Sequence, residues 1–271
     1  MHPADLAAVA GVFAGLAPAD GTRYQLGWDV AGIVDAVGDG VTSFTPGDAV
    51  VGLSFWITGL NGVQADYAVL DAGAIARAPL GVSPAEAATL PLNGLTAAFA
   101  LDLLNLPAGA SVAITGAAGG VGGFAIQLAA ASGLRVVAVA AADDEQLVRD
   151  LGANEFVART DRLADAVRAV VPDGVDGVFD PALVGNGALS AVRDAGVYVF
   201  GAPQAPEPER GIRTDGVQVR VDGQRLATLA RLVEDGRLRL RIAETYPLTQ
   251  AAAAYKRLAG GGVRGGVVLL P

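Results

Sequence analysis

The sequence predicts an α/β protein in which a small β-rich unit precedes a doubly wound parallel sheet. From Ser111 onward, short apolar runs rich in β-branched residues alternate with segments of helical periodicity, as in consecutive βαβ units. Between Trp28 and Val51 the apolar runs are shorter, and glycine, proline and aspartate separate them. That second pattern is typical of antiparallel strands joined by tight turns.

The β-rich unit is predicted to hold four short strands. Two of them flank the turn Gly38-Asp39-Gly40, a third follows the Pro-Gly-Asp turn at 46–48, and a fourth covers Ala65–Leu70. A helical turn is predicted over Pro84–Thr89, because a serine precedes it as a cap and proline suits its first position.

The parallel sheet is predicted from the alternation that follows. Helices are expected at Ala97–Leu104, Val121–Ser132, Asp144–Leu151, Leu163–Val170, Gly187–Arg193, Gln224–Glu234 and Thr249–Arg257. Strands are expected at Ser111–Thr115, Arg135–Ala140, Glu155–Val157, Gly177–Asp180, Val197–Phe200, Leu238–Ala243 and in the closing run GGVVLL. The proline-rich stretch Ala202–Gly211 is predicted to be a loop.

Composition excludes several classes of function. The chain has 28 acidic and 19 basic residues, a net charge of −9, and no basic run, so no nucleic-acid partner is expected. It has no cysteine and one histidine, which excludes disulfides, thiolate catalysis and the usual metal-ligand sets. Polar and breaker residues interrupt the apolar stretch Ala125–Ala142 well short of the ~20 residues of a membrane span. No membrane partner is therefore expected, and without a signal peptide the predicted location is the cytoplasm.

A glycine-rich turn follows the strand Ser111–Thr115 and leads into an apolar helix. Four of the seven residues in 116–122 are glycine, which lets the backbone approach a pyrophosphate at the helix N-terminus. Gly119 and Gly122 match the dinucleotide pattern G-x-G-x-x-G, whereas Ala117 stands at its first position. The alternative is a turn that only brings helix and strand close together, but the number of glycines favours a dinucleotide site.

The end of the second strand bears on the choice of cofactor. A carboxylate usually stands there to bind the adenine ribose, but residues 138–140 are apolar, and Asp143 and Asp144 lie beyond them in helix-capping positions. Nothing at the strand end would repel a 2′-phosphate. Arg159, after the neighbouring strand, is the nearest cation, although a solvated surface arginine is the alternative. The sequence therefore predicts NADPH as the cofactor, preferred over NADH.

Several motifs in one order resemble the medium-chain dehydrogenase/reductase superfamily, specifically its zinc-free quinone oxidoreductase branch. They are HPADLAAVAG, GWDVAGIVDAVGDGVTSFTPGDAVVG, LPLNGLTAAFAL, ITGAAGGVGGFAIQLA, LGANEFV and GGVRGGVVLLP. The resemblance implies a GroES-like β-barrel domain over 1–90, a Rossmann domain over 91–225, and a return to the first domain over 226–271. It also implies that the barrel is incomplete at its N-terminus, because the family has further strands before the motif that opens this chain.

The resemblance further implies the reaction, which is hydride transfer from NADPH to a small-molecule quinone or α,β-unsaturated carbonyl, in a homodimer. It assigns cofactor contacts to nine residues: Asn93 and Thr96 beside the nicotinamide, Gly119, Gly120, Val121 and Gly122 at the pyrophosphate, Arg159 near the 2′-phosphate, Gly201 at the end of a neighbouring strand, and Arg264 near the C-terminus. Phe55, Trp56 and Ile57 are expected to shape the substrate pocket.

Zinc-dependent relatives carry Gly-His-Glu where this chain has Gly27-Trp28-Asp29. Tryptophan cannot bind zinc, so no metal is expected, and Asp29 is interpreted as a structural carboxylate. His2 stands where relatives often have an asparagine near the nicotinamide, but so close to the first residue it is expected to be mobile. No catalytic residue is identified, and solvent or a tyrosine such as Tyr67 could supply the proton.

Two other functions remain open at this stage. The same fold supports enoyl reductases that act on thioester-bound or natural-product intermediates. A non-catalytic dinucleotide-binding remnant is the second alternative, favoured by the short N-terminus and opposed by the intact glycine loop.

Overall fold

A computed structural model describes residues 1–13, 15, 25–59 and 61–271, and it confirms the predicted α/β class. The chain divides into two compact units. The first unit comprises Met1–Leu95, Arg220–Gly236 and Leu240–Pro271, and the second comprises Thr96–Val219 with Arg237–Arg239. The domain limits predicted at residues 90 and 225 stay predictions.

The first unit opens with helix α1 (Pro3–Val9) and a three-stranded antiparallel sheet. The strands are β1 (Asp29–Ile33), β2 (Ala49–Leu53) and β3 (Ile75–Arg77), paired in the order β1-β2-β3, with helix α2 (Trp56–Gly59) after β2. Helix α3 (Pro84–Ala87) begins as predicted, because the Ser83 side chain accepts from the Glu86 amide at 3.2 Å. Helix α4 (Pro91–Leu104) follows and continues into the second unit.

The second unit is built on a six-stranded sheet whose paired strands are all parallel. In chain order its elements are β4 (Ser111–Ile114), α5 (Gly120–Ala131), β5 (Arg135–Ala140), α6 (Glu145–Asp150), β6 (Glu155–Ala158), α7 (Leu163–Val170), β7 (Val175–Asp180), α8 (Asn186–Leu189), β8 (Val192–Phe200) and β9 (Arg213–Gly216). The strand order β6-β5-β4-β7-β8-β9 is that of the doubly wound dinucleotide-binding sheet. Val137, Val167, Val178 and Tyr198 belong to one buried cluster within this unit.

The C-terminal part returns to the first unit. It consists of helix α9 (Gly223–Glu234), strand β10 (Ile242–Pro247), helix α10 (Ala251–Ala259) and strand β11 (Gly266–Leu270), with β10 and β11 paired in parallel. Ala254, Leu258 and Val267 form a small buried cluster, and Met1 and Leu6 pack against it. The first and last segments of the chain are therefore held together by shared apolar contacts.

Several predicted elements differ from the structure. Ala65–Leu70 is not a strand, and of the two pieces around the Gly38 turn only β1 forms. The helix predicted over Gly187–Arg193 ends at Leu189, because the chain enters β8 at Val192. The strand predicted over Leu238–Ala243 lies further along, as β10.

Helices α1 and α2 and strands β3 and β9 were not predicted from the sequence. Strand β9 has the sequence RTDG, which contains no apolar residue, and it joins the sheet edge through its backbone pairing with β8. Such a strand has no hydrophobic pattern to detect.

One helical stretch of the described residues, Pro84–Leu104, is long and apolar enough by composition to cross a bilayer. However, 72% of its most apolar 18-residue window is buried inside the protein. The core helix of a globular protein has the same composition and the same burial.

Candidate cofactor site

The glycine loop lies at the carboxyl edge of the sheet, where the strand order reverses. Strand β4 lies between β5 and β7, and the loop after it contacts the ends of both. The Thr115 amide donates to the Phe179 carbonyl oxygen, and the Ala117 amide donates to the Val139 carbonyl oxygen, each at 3.1 Å. Ligands of open α/β sheets bind at such a reversal point, outside the carboxyl ends of the strands.

Glycine is required in this loop by the close approach of its own backbone. A Cβ on Gly122 would collide with the Gly116 carbonyl oxygen and lie 2.8 Å from the Ala117 Cα. Gly116 itself has a φ of +53°, in the left-handed region. Gly119 is the N-cap of α5 and has no side chain to cap that helix. The resulting backbone cradle at a helix N-terminus fits the pyrophosphate of a dinucleotide.

A buried carboxylate holds the strand ends beneath the loop. Asp180, the last residue of β7, is fully buried and accepts hydrogen bonds from the Thr115 hydroxyl, from the Tyr198 hydroxyl at 2.6 Å and from the Gly185 amide at 2.8 Å. Burial, and then the hydrogen bond to Asp180, raises the pKa of Tyr198.

This network was not predicted from the sequence. A signal was present, because Thr115 and Asp180 are polar residues at the ends of two neighbouring apolar strands. Each strand was assigned correctly, but neither polar residue was interpreted as part of the site.

Gly201 follows β8 at the same edge of the sheet. Its amide donates to the Asp180 carbonyl oxygen at 3.0 Å, and a Cβ there would lie 2.7 Å from the Pro181 Cα. A larger residue would therefore separate the end of β8 from the end of β7. The structure brings Gly201, the glycine loop and Asp180 together, within one unit.

Arg159 lies beside the end of β5, where its position in the sequence suggested. Its amide donates to the Ala140 carbonyl oxygen at 2.7 Å, and its side chain is exposed. Within the part of the chain that the structure describes, its guanidinium has no ion-pair partner. By contrast, Arg162 is paired with Asp165 at 2.7 Å. Arg159 is thus an exposed cation next to a strand end that carries no carboxylate.

The remaining candidate contacts lie on α4 and near the C-terminus. Asn93, in the first unit, is buried and its side-chain amide donates to the Thr89 carbonyl oxygen at 3.2 Å. Thr96, in the second unit, is the one residue of 91–100 that is partly exposed. Arg264, in the first unit, is exposed and donates to the Gly262 carbonyl oxygen at 3.1 Å.

Asp29 is a structural carboxylate, as interpreted from the sequence. One of its oxygens accepts from the Leu92 amide at 2.6 Å, in the first turn of α4, and the other contacts the His2 imidazole. The expectation that His2 is mobile was wrong. His2 is 6% exposed, because it precedes α1 directly and its own amide donates to Asp5 at 2.7 Å.

An aromatic cluster occupies the place where zinc-dependent relatives have their histidine. Trp28 is buried, and its ring centroid lies 5.5 Å from that of Phe55 and 5.8 Å from that of Trp56, both edge to face. Tyr67, a candidate proton source, is 78% exposed.

Comparison with known proteins identifies the family. Residues 1–80 match the profile described as "Alcohol dehydrogenase GroES-like domain", and residues 151–269 match "Zinc-binding dehydrogenase". A quinone oxidoreductase of Pseudomonas aeruginosa is 31% identical over 283 residues, which cover 95% of this chain and 85% of that protein. The chain belongs to the medium-chain dehydrogenase/reductase superfamily. Within that superfamily it is quinone oxidoreductase-like.

Solved structures of the superfamily have the same fold. The quinone oxidoreductase of Coxiella burnetii matches with a TM-score of 0.85 and 26% identity, over 99% of this chain and 86% of that one. A mycobacterial protein solved as a complex with NADPH matches with a TM-score of 0.78 and 28% identity, over 90% of this chain and 82% of that one.

A much longer superfamily relative is a polyketide synthase. Erythronolide synthase EryA2 of Saccharopolyspora erythraea is 44% identical over 134 residues, which is 49% of this chain and 4% of the synthase. The chain therefore spans only a small part of that relative, in contrast to the 85% of the Pseudomonas protein that it covers.

The zinc in the name of one matching family does not fit the donor atoms of this chain. The sequence has no cysteine and one histidine, and Trp28 stands at the ligand position. Among residues 1–13, 15, 25–59 and 61–271, no three histidine, aspartate or glutamate side chains are grouped as metal ligands. Zinc prefers four nitrogen or sulfur donors in a structural site and three protein ligands in a catalytic one.

Proposed function

We propose that this chain is an NADPH-dependent oxidoreductase that works without zinc and reduces quinones or α,β-unsaturated carbonyls. The observation that carries the proposal is the glycine loop at the reversal point of the second unit's sheet, supported from below by Asp180. The relationship to quinone oxidoreductases supports quinones and α,β-unsaturated carbonyls as the substrate class. The simplest members of that class are small planar electrophiles.

NADPH is preferred over NADH in this proposal. The chain offers no carboxylate where β5 ends, at Ala140 and Ala141, and Arg159 is exposed beside that end. A 2′-phosphate placed there would find a cation and no repelling charge. The similar mycobacterial structure that holds NADPH is consistent with this choice.

The residues of the chain have distinct tasks in the reaction. Bound NADPH supplies a hydride. Gly119, Gly120, Val121 and Gly122 would hold the pyrophosphate, and Asn93, Thr96 and Gly201 would contact the nicotinamide, with Arg264 as a further cofactor contact. Conjugation already polarises a quinone or an enone, so the protein needs to orient the reactants and exclude water rather than provide a Lewis acid.

A turnover assay tests the proposal. NADPH oxidation is followed with a small benzoquinone, a small enone and no acceptor, each at matched NADH and NADPH concentrations. We expect acceptor-dependent oxidation that is faster with NADPH. Tight NADPH binding without turnover of either acceptor would instead favour a non-catalytic dinucleotide-binding protein.

A second candidate is an enoyl reductase that acts on thioester-linked intermediates. The relationship to a polyketide synthase, 44% identical over half of the chain, favours it. A crotonyl thioester of a pantetheine analogue, compared with the free enone, separates the two candidates through kcat/KM. A strong preference for the thioester would replace quinones as the substrate class.

The assembly and location of the protein are also proposed. We expect a homodimer in the cytoplasm, with a small molecule as substrate and neither a nucleic acid nor a membrane as partner. Light scattering behind a sizing column measures the oligomer directly.

A further inference from the structure

A cleft in the first unit lies between α9 and β3, and it shares no lining residue with the glycine loop. Its volume is about 610 Å³, within the ~300–1,000 Å³ that is usual for sites of small organic molecules. Every residue that lines it belongs to the first unit, so the cleft does not depend on how the two units are arranged. We refer to it as the α9 cleft.

Contacts at both ends hold α9 against β3 and the segments beside it. At the start of the helix, a Cβ on Gly223 would lie 2.5 Å from the Ile75 carbonyl oxygen and 2.7 Å from the Gly73 carbonyl oxygen. At its end, the Glu234 carboxylate accepts from the Leu80 amide at 2.9 Å. The 12 residues of α9 have a length of about 18 Å, so the cleft runs along the helix between two fixed ends.

Small side chains between these ends leave the space open. Ala227 and Ala230 are three residues apart on the face of α9 that lines the cleft, and neither side chain extends beyond its Cβ atom. Phe44 and Ala76 line the cleft from the side of the strands, and both are buried. The middle of the α9 cleft is therefore apolar.

Two arginines line the α9 cleft, and they differ in their partners. Arg77, on β3, is paired with Asp48 at 2.6 Å. Arg231, in the last turn of α9, is exposed, and its guanidinium has no ion-pair or hydrogen-bond partner among the residues that the structure describes. The Glu234 carboxylate, three residues further along, accepts from the Leu80 amide and forms no ion pair with this guanidinium. An anionic ligand would therefore find an available cation at Arg231.

We propose that the α9 cleft binds a small amphipathic carboxylate, with its apolar chain or ring between Ala227 and Phe44 and its carboxylate on Arg231. A guanidinium recognises a carboxylate through two parallel N–H donors, and the apolar walls remove the rest of the ligand from water. One uncompensated guanidinium matches the single charge of a carboxylate better than the double charge of a phosphate. This inference goes beyond the proposed oxidoreductase function and does not depend on it.

Titration calorimetry on the full-length protein tests the proposal with three probes of equal chain length. Octanoate, octanol and octylamine are each titrated in the presence of saturating NADPH. We expect one octanoate per chain, weaker binding of octanol and no measurable binding of octylamine. Octylamine that binds as well as octanoate, or no binding of octanoate, would overturn the proposal. Octanoate that binds only when NADPH is absent would belong to the cofactor site and would overturn it as well.

Substitution of the arginine tests the role of its charge. In Arg231→Gln the side chain stays polar but loses its charge. We expect the affinity for octanoate to fall about tenfold and that for octanol to stay unchanged. Lys256→Gln, which removes an exposed cation from α10, is the control and should bind both probes as the wild type does. An equal loss of octanoate affinity in the two variants would mean that the net charge of the protein, and not Arg231, attracts the anion.

A second substitution fills the apolar middle of the cleft. Leucine is a good helix former, so Ala227→Leu should keep α9 while its extra carbon atoms occupy the space of the ligand. We expect the affinities for octanoate and octanol to fall together, by more than about tenfold. Thr228→Leu is the control, because Thr228 is exposed on the same helix and does not line the cleft.

The outcomes also separate this site from the proposed function. Wild-type affinity for octanoate in both Arg231→Gln and Ala227→Leu would overturn the α9 cleft as the site. A protein that binds octanoate there but reduces no quinone, enone or thioester would overturn the proposed function and leave this inference standing. Should Ala227→Leu melt early, Arg231→Gln still gives the comparison, because that side chain is exposed.

Discussion

Asp180 at the end of β7 and Tyr198 on β8 are joined by a buried hydrogen bond, with 2.6 Å between the phenol and carboxylate oxygens. The same carboxylate accepts from Thr115, the first residue after β4. The ends of three neighbouring parallel strands, β4, β7 and β8, are therefore joined through one buried carboxylate next to the glycine loop. A buried charge is tolerated only when its hydrogen-bonding capacity is filled, so each donor contributes to the stability of this edge.

Removing the Tyr198 hydroxyl should destabilise the protein and weaken cofactor binding. In Tyr198→Phe, Asp180 stays buried with one donor fewer, a loss that typically costs about 1–3 kcal/mol. Urea unfolding measures the free energy, and quenching of protein fluorescence by NADPH measures the affinity. Tyr246→Phe, at a partly exposed tyrosine bonded to Glu244, is the matched control and should change neither value appreciably. Equal effects of the two substitutions would contradict a special role for the Asp180 network.

Arg159→Ala should lower the affinity for NADPH and leave that for NADH nearly unchanged. A charge-assisted hydrogen bond to the 2′-phosphate contributes about 1.5–3 kcal/mol, or roughly ten- to a hundredfold in Kd. Arg162→Ala is the control, because that exposed arginine is already paired with Asp165. Titration calorimetry with both cofactors distinguishes the outcomes. Equal losses for NADH and NADPH would mean that Arg159 acts on the fold.

Gly122→Ala should abolish tight cofactor binding. The added methyl group would meet the Gly116 carbonyl oxygen, so the loop must move away from the geometry that receives the pyrophosphate. Overpacking of this kind commonly costs about 1–3 kcal/mol. Gly38→Ala adds the same methyl group where no atom lies within 4 Å and should bind as the wild type does. Normal NADPH affinity in Gly122→Ala would place the dinucleotide elsewhere.

Purified protein should contain far less than one zinc ion per chain, and chelators should not alter its melting temperature or turnover. The physical reason is the donor set, since tryptophan stands at the ligand position and the sequence has no cysteine. Elemental analysis by plasma mass spectrometry, before and after dialysis against EDTA, gives the answer. A stoichiometric, activity-linked metal would refute the prediction.

Stability should depend on pH through Asp5. Burial raises the pKa of this carboxyl, while His2 and the amino terminus partly oppose the increase. An acid whose pKa is higher in the folded state binds more protons when folded. Its contribution to stability therefore declines as the pH rises from about 4, its ordinary pKa, through the raised value.

The comparison with Asp5→Asn isolates that contribution. Urea unfolding of both proteins is measured at several pH values between acid and neutral. The free energy of unfolding of the variant, relative to that of the wild type, should increase with pH. Parallel curves would show that Asp5 has an ordinary pKa in the folded state.

The Rossmann-type sheet could be predicted because each of its strands and helices has a recognisable pattern of apolar residues within its own short segment. Buried parallel strands have continuous apolar runs, so strand Arg135–Ala140 was predicted with the ends that the structure gives it. The helix Leu163–Val170 was also predicted with its observed ends, from its helical periodicity. Strand β9 was not predictable in this way, since its polar residues are held only by backbone pairing at a sheet edge. Ala65–Leu70 has a strand-like composition, but no strand of the described part of the chain pairs with it.

The glycine turn of the candidate site could be predicted from the sequence, because glycine marks positions of unusual backbone geometry. The contacts between side chains that are far apart in the sequence could not be predicted. The turn at 116–122 is visible in the sequence because few other segments need so many glycines. Asp180 and Tyr198 are separated by 18 residues, and only the register of β7 against β8 brings them together. His2 and Asp29 are likewise joined by the fold, across 27 residues of sequence.

The two units are built from different segments of the chain, and the order of these segments affects folding during synthesis on the ribosome. The second unit is almost continuous, from Thr96 to Val219, and can acquire its core as soon as that segment has emerged. The first unit is assembled from both chain ends, with Met1 and Leu6 packed against residues of α10 and β11. Residues 1–6 must therefore wait for residues 251–270, and until those have emerged the face of α1 that packs against α10 and β11 lacks these two partners.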